Sequence, residues 1–228
     1  MNRIAAVVKM HSRDKWSWFV LPWLILFLSF FVNFIIAFSI NNDEGFTSGG
    51  LASIFIYLFV IGVVTIAQTF VFAVSLSIRR KDYFLGTAIS IAIVSAVSTV
   101  ILLLLGALEH GTAGWGFNLH FFHLAYLNDG TFMQQLWIYF SFFLHLFYCG
   151  FVISSLHRRY GRNGLYVFFI ASFLVGAAGS YLLTYYRLWL DIFSWIGQYT
   201  VFQHSLWIFV LTVLYAGISY LLLRRATV

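Results

Sequence analysis

Apolar stretches of eighteen residues or more recur along the whole chain, separated only by short polar or basic breaks. That recurrence constrains the fold more than any other feature. A helix of roughly 20 apolar residues spans the hydrocarbon core of a bilayer, where every backbone N–H and C=O must be satisfied within the protein. The pattern predicts an all-α integral membrane protein with six transmembrane helices, at about 19–40, 51–78, 85–108, 132–156, 165–186 and 206–223, forming a single domain over 1–228. Composition agrees: 62% of residues are hydrophobic and 9% charged, with a mean hydropathy of +0.92, whereas soluble domains carry roughly 25% charged residues. No fixed-period repeat or low-complexity linker divides the chain.

The flanking segments add detail. Over 2–14, Ile4, Val7, Val8 and His11 recur at helical spacing with Arg3, Lys9 and Arg13 elsewhere on the wheel, which predicts an N-terminal interfacial helix. Trp16 and Trp18 then mark the water boundary. The 19–40 run is too long for a signal-peptide core and is followed by Asn41, Asn42, Asp43 and Glu44 rather than a small-residue cleavage site, so it is expected to be retained. At 1.5 Å per residue the 51–78 run would reach roughly 40 Å, so its end is expected to project into the cytoplasm as a rigid lever. Small residues one turn apart, Ala88, Ala92 and Ala96 in the third run and Ser172, Gly176 and Ser180 in the fifth, predict close helix packing. Residues 187–205 are too short and interrupted to cross. Leu188, Trp189, Ile192, Trp195 and Ile196 give them an apolar face, predicting an amphipathic or re-entrant outer hairpin in which Arg187 and Asp191, four apart, pair along a helix.

Orientation follows from charge. Arg3, Lys9, Arg13, Lys15, Arg79, Arg80, Lys81, Arg158, Arg159, Arg162, Arg224 and Arg225 all fall on one side, which leaves Arg187 alone among the 13 basic residues. The positive-inside bias therefore places both termini in the cytoplasm, and the 109–131 connection outside. The net charge of +6 is accounted for by these membrane flanks rather than by a nucleic-acid surface. Cys149, the single cysteine, lies in an apolar run and can form no internal disulfide.

Catalytic motifs are missing. No histidine is followed by glutamate as in H-E-x-x-H, no G-x-S-x-G turn occurs, and no Gly-Lys pair exists from which a phosphate-binding P-loop could be built. The chain is therefore read as no enzyme, with no resident cofactor and no metal ligand set. His120 and His123 could approach a metal from one helical turn, with His110 in the same outer connection, but no cysteine or carboxylate pair completes the set. His145, inside the fourth run, is either a proton relay or a hydrogen-bonded packing residue. Asp43, Glu44, Glu109, Asp129 and Asp191 fall outside the membrane and Asp14 and Asp82 inside the cell, so no acid is positioned for proton-driven transport. Energy must come from a partner. Asn33, Thr65, Gln68, Thr69, Ser172 and Ser180 are the polar residues that enter apolar runs, either lining a translocation path or bonding between helices. The load of 27 Phe, 13 Tyr and 8 Trp suits an amphipathic cargo or lipid contact.

The interfacial basic helix, six apolar runs, a basic turn after the second and an amphipathic hairpin before the last together resemble the permease subunits of bacterial type 2 ABC exporters. Two stretches carry the likeness most closely: Val8-Lys-Met-His-Ser-Arg-Asp-Lys-Trp-Ser-Trp18 and Ser77-Ile-Arg-Arg-Lys-Asp-Tyr-Phe-Leu-Gly-Thr87. The resemblance implies a bacterial cell-membrane location, a partner ABC ATPase that binds ATP and Mg, and a second permease, identical or different. It also implies that Arg79, Arg80, Lys81, Asp82 and Tyr83 meet the ATPase, that the first, second and fifth helices surround the path, and that Ser172, Gly176 and Ser180 pack between permeases. Members often carry proline after a Thr-Phe pair in the second helix, whereas here Thr69-Phe70 is followed by Val71. The competing reading is a membrane-embedded metal-dependent enzyme, or an immunity or sensor component without transport, that uses the outer histidines.

Overall fold

A computed structural model describes residues 3–40, 45–124 and 130–226; the expectations placed on Asn41, Asn42, Asp43, Glu44 and Asp129 lie outside the described residues. The chain is helical almost throughout. Helix α1 is Arg3–Arg13. Five longer helices are apolar enough to cross a membrane by length and composition: α2 Trp16–Ile40, α3 Gly49–Ser75, α4 Arg80–Gly111, α5 Phe132–Tyr185 and, after the short α6 Trp189–Gly197, α7 Val201–Arg224. At 54 residues α5 would be about 80 Å long if straight, more than twice the hydrocarbon thickness. Gly161, at φ 68 and ψ −164, breaks it into two limbs. Thr131 with Gln134 and Thr200 with Gln203 form capping boxes that start α5 and α7.

The tightest packing is between α3 and the first limb of α5. A Cβ on Gly62 would fall on the Phe147 carbonyl oxygen, and one on Gly150 would fall on the Phe59 carbonyl oxygen. Each glycine therefore admits the other helix's backbone, the small-residue device by which helices approach closely in lipid. Phe143, Phe147 and Phe151 are buried along this seam. The last helix, α7, joins the first limb of α5 through a 3.1 Å hydrogen bond between His145 Nδ1 and Thr212 Oγ1, and through the Trp137 ring against Phe209.

Several boundaries differ from the sequence expectation. Helix α3 stops at Ser75 instead of projecting to 78. Its end is a compact reversal in which Ser77 takes a left-handed φ of 58, its N–H donates to Val74 C=O, and the Ile78 N–H donates to Ala73 C=O. The third helix starts at Arg80, so the basic cluster belongs to its first turn rather than to a free lever. Within α3, residues Ile66–Phe70 form a π turn. The surplus residue moves the buried face forward by one position, so that Phe70 and Ala73 are buried while Phe72 is exposed. In α4 the buried face carries Ser90, Ser95, Ser98 and Thr99 instead of the alanine row, Ala96 being exposed. Small hydroxyl residues pack as closely as alanine and can return their proton to their own helix, as Ser90 does to Gly86 C=O. Arg187 stands in a left-handed turn before α6 begins, so it shares no helix with Asp191.

Gly62→Ala and Gly150→Ala are each expected to destabilise the chain by about 1–3 kcal/mol, because the added methyl meets rigid backbone. Thermal unfolding in detergent micelles checks this, with Gly217→Ala, where a Cβ meets open space, expected to change little.

Candidate functional site

The basic end of the molecule brings together three segments distant in sequence. Helix α1 lies against α4 at Gly86, where a Cβ would collide with Val7 and approach the Ile4 carbonyl. His11 is buried there. A 3.0 Å hydrogen bond joins its Nε2 to Thr87 Oγ1, and its ring lies 4.6 Å from that of Trp18. Burial pushes the His11 pKa down to about 4, partly opposed by the carboxylate of Asp14. One turn before Thr87, the Tyr83 hydroxyl shares a 2.8 Å hydrogen bond with Thr69 Oγ1 in the π turn of α3. A polar seam thus ties α1, α4 and α3.

Basic side chains close over this seam. The Arg158 guanidinium sits 5.6 Å from the centre of the Phe70 ring. Arg80 donates to the Arg224 carbonyl oxygen at 2.8 Å, capping the end of α7 where the helix dipole is negative. The Arg79–Lys81 turn, the turn after the first limb of α5, and the end of α7 therefore meet at one end of the molecule. Of the five residues proposed to touch an ATPase, Arg79 and Lys81 are exposed and Arg80 and Asp82 half-buried. Tyr83 is fully buried and cannot present itself to a partner, because its ring fills the space between Phe70 and His11.

The residues expected along a path do not form one lining within the chain. Thr65 and Thr69 face inward toward Tyr83 and donate to Ile61 and Thr65 carbonyls, and Asn33 donates to the Ser29 carbonyl of its own helix. Gln68, Ser172 and Ser180 are exposed. Every residue over 166–178 is exposed, so the second limb of α5 packs its Ser172 and Gly176 face on nothing among the described residues.

The opposite end is built around Glu109, which nothing in the sequence singles out. Its buried carboxylate accepts hydrogen bonds from the backbone N–H groups of Phe121, Phe122 and His123, each at 2.9 Å, and from Trp115 Nε1 at 3.0 Å. Between Glu109 and its backbone donors the chain passes through left-handed conformations at Ala113, Gly114, Trp115, Gly116 and Asn118. Phe30 and Phe34 of α2, one turn apart, receive the loop: Phe30 contacts Trp115, Phe121 and Phe122, and Phe34 contacts Phe117. A short parallel pair, β1 Phe46–Thr47 with β2 Leu119–His120, ties this loop to the start of α3.

That geometry separates two of the three histidines of this connection. His120 lies in extended β2, not one helical turn from His123, whose ring instead stacks on His110 with centroids 5.1 Å apart. Among the described residues no group of three or more His, Cys, Asp or Glu side chains could hold a metal ion. His145 is engaged with Thr212.

Glu109→Ala removes the shared acceptor of four N–H groups and is expected to cost roughly 3 kcal/mol or more. Hydrogen exchange at the Phe121, Phe122 and His123 amides should accelerate strongly, while amides of α3 stay protected. For His11, the docked pKa lies below the ordinary 6.5, so the undocked state binds more protons between those values. Docking of α1 is therefore at full strength above about pH 6.5 and weakens as pH falls toward 4, by up to about 3 kcal/mol. Unfolding measured from pH 7 to 4.5 should show this slope, and His11→Gln should flatten it. No protein-family model matches this chain, and no curated protein or solved structure matches it either.

Proposed function

We propose that this chain is the membrane-spanning subunit of an ATP-driven exporter of the type 2 ABC kind. It crosses a bacterial cell membrane six times with both termini in the cytoplasm, and it moves a hydrophobic or amphipathic molecule outward, a peptide being one candidate. The observation that carries this reading is the unpartnered second limb of α5. A long helix whose Ser172, Gly176 and Ser180 face is open offers close packing to a second permease, and two such chains would enclose a path that one chain does not form. The gathering of basic turns at one end supports a cytoplasmic pole, because a single dominant side of Lys and Arg sets orientation.

In this reading the energy comes from an ABC ATPase, which holds ATP and Mg, and Arg79 and Lys81 are the exposed side chains of the coupling surface. Arg80 is placed differently. Its bond to Arg224 makes it the link that carries movement at the first turn of α4 to the end of α7.

Affinity purification of the tagged chain from its native membrane, with mass spectrometry of what accompanies it, tests the proposal. A stoichiometric ATPase is expected, and Arg79→Glu with Lys81→Glu should weaken its association about tenfold or more while insertion and folding persist. Repeated recovery without any ATPase would sink the exporter reading.

A further inference from the structure

A cavity of about 160 Å³ lies between α1, the start of α2 and α4. Val8, Phe19, Ile93 and Val94 give it apolar walls, and Lys15 stands at it as an exposed cation. His11 also lines it, and the His11 Nδ1 is buried with no hydrogen-bond partner. The neighbouring Asp14 carboxylate is turned away to Ser17, accepting from its hydroxyl at 3.0 Å and its backbone N–H at 3.3 Å. The Ser12 hydroxyl is likewise committed, donating to the Lys9 carbonyl.

We propose that this cavity binds one anionic phospholipid, its phosphate at Lys15 and the upper part of an acyl chain against Val8, Phe19, Ile93 and Val94. The walls are too apolar for a soluble anion, which would lose its hydration without gaining polar partners. An acyl chain alone would leave Lys15 unanswered. A phospholipid supplies both halves, an acyl chain for the walls and a phosphate for the cation. Lys15 favours a net-negative headgroup over a zwitterionic one, whose ammonium group it repels. This assignment needs only that the chain resides in a membrane and holds whether or not an ATPase joins it.

Native mass spectrometry of the purified full chain, offered equal amounts of phosphatidylglycerol and phosphatidylcholine in micelles, tests it. One phosphatidylglycerol per chain is expected to survive, favoured over phosphatidylcholine about fivefold. Lys15→Gln should bring that preference close to parity, while Lys9→Gln, an equal loss of charge outside the cavity, should leave it largely intact. Ile93→Phe, which fills the space without altering charge, should reduce retention of either lipid; Val94→Phe is a second filling variant should the first fail to fold. Equal retention of the two lipids by the unmodified chain would overturn the proposal. So would equal losses from Lys9→Gln and Lys15→Gln, which would signify diffuse surface attraction, or undiminished binding in a folded filling variant.

Discussion

The reciprocal entry of two backbones at Gly62 and Gly150 is the constraint on which the other helices depend. In a bilayer the hydrophobic effect does not drive helices together, so contact area and close approach must do so. With α3 and the first limb of α5 in contact at the backbone, their remaining faces form the floor for everything else. Trp18 of α2 packs against Phe147, Phe84 of α4 against Phe151, and Trp137 against Phe209 of α7. Phenylalanine rings supply area without polar atoms to satisfy, which explains their abundance along this seam better than any ligand does.

The two ends of the molecule are secured by different chemistry. At the basic end the bonds are distributed: His11 to Thr87, Tyr83 to Thr69 and Arg80 to Arg224 each tie a different pair of segments. At the far end a single carboxylate accepts four N–H groups. The left-handed Ala113 and Trp115 that follow Glu109 each cost on the order of 1 kcal/mol, and charge-assisted hydrogen bonds of this kind are strong enough to offset that. An acid that looks like an ordinary helix-end residue is therefore the keystone of the loop at that end.

The helical class, the apolar runs, the N-terminal helix α1 and the grouping of basic residues at one end were legible because they rest on period and charge, which sequence displays directly. The burial of Tyr83 was not, since a tyrosine next to Arg79, Arg80, Lys81 and Asp82 reads as surface until Thr69 and Phe70 are brought to it from α3. Glu109 was missed for the same reason. Its partners lie six to fourteen residues away along an irregular path, and no periodicity announces a carboxylate that accepts from backbone. Nor could sequence alone show that the face of Ser172 and Gly176 would be left open, because small residues at helical spacing look the same whether their partner is in the same chain or outside it.

The π turn at Ile66–Phe70 has a mechanical consequence. A straight α-helix transmits rotation and translation together, like a rod. A helix holding one surplus residue has its two ends set about 100° out of phase, and relocating that residue by a turn changes the phase of the intervening segment without breaking the helix. Here the surplus lies where Thr69 meets Tyr83 and Phe70 meets Arg158, between the glycine crossing and the basic end. The last turns of α3 are therefore set out of phase with the crossing at Gly62, and the Thr69–Tyr83 bond holds that phase against α4.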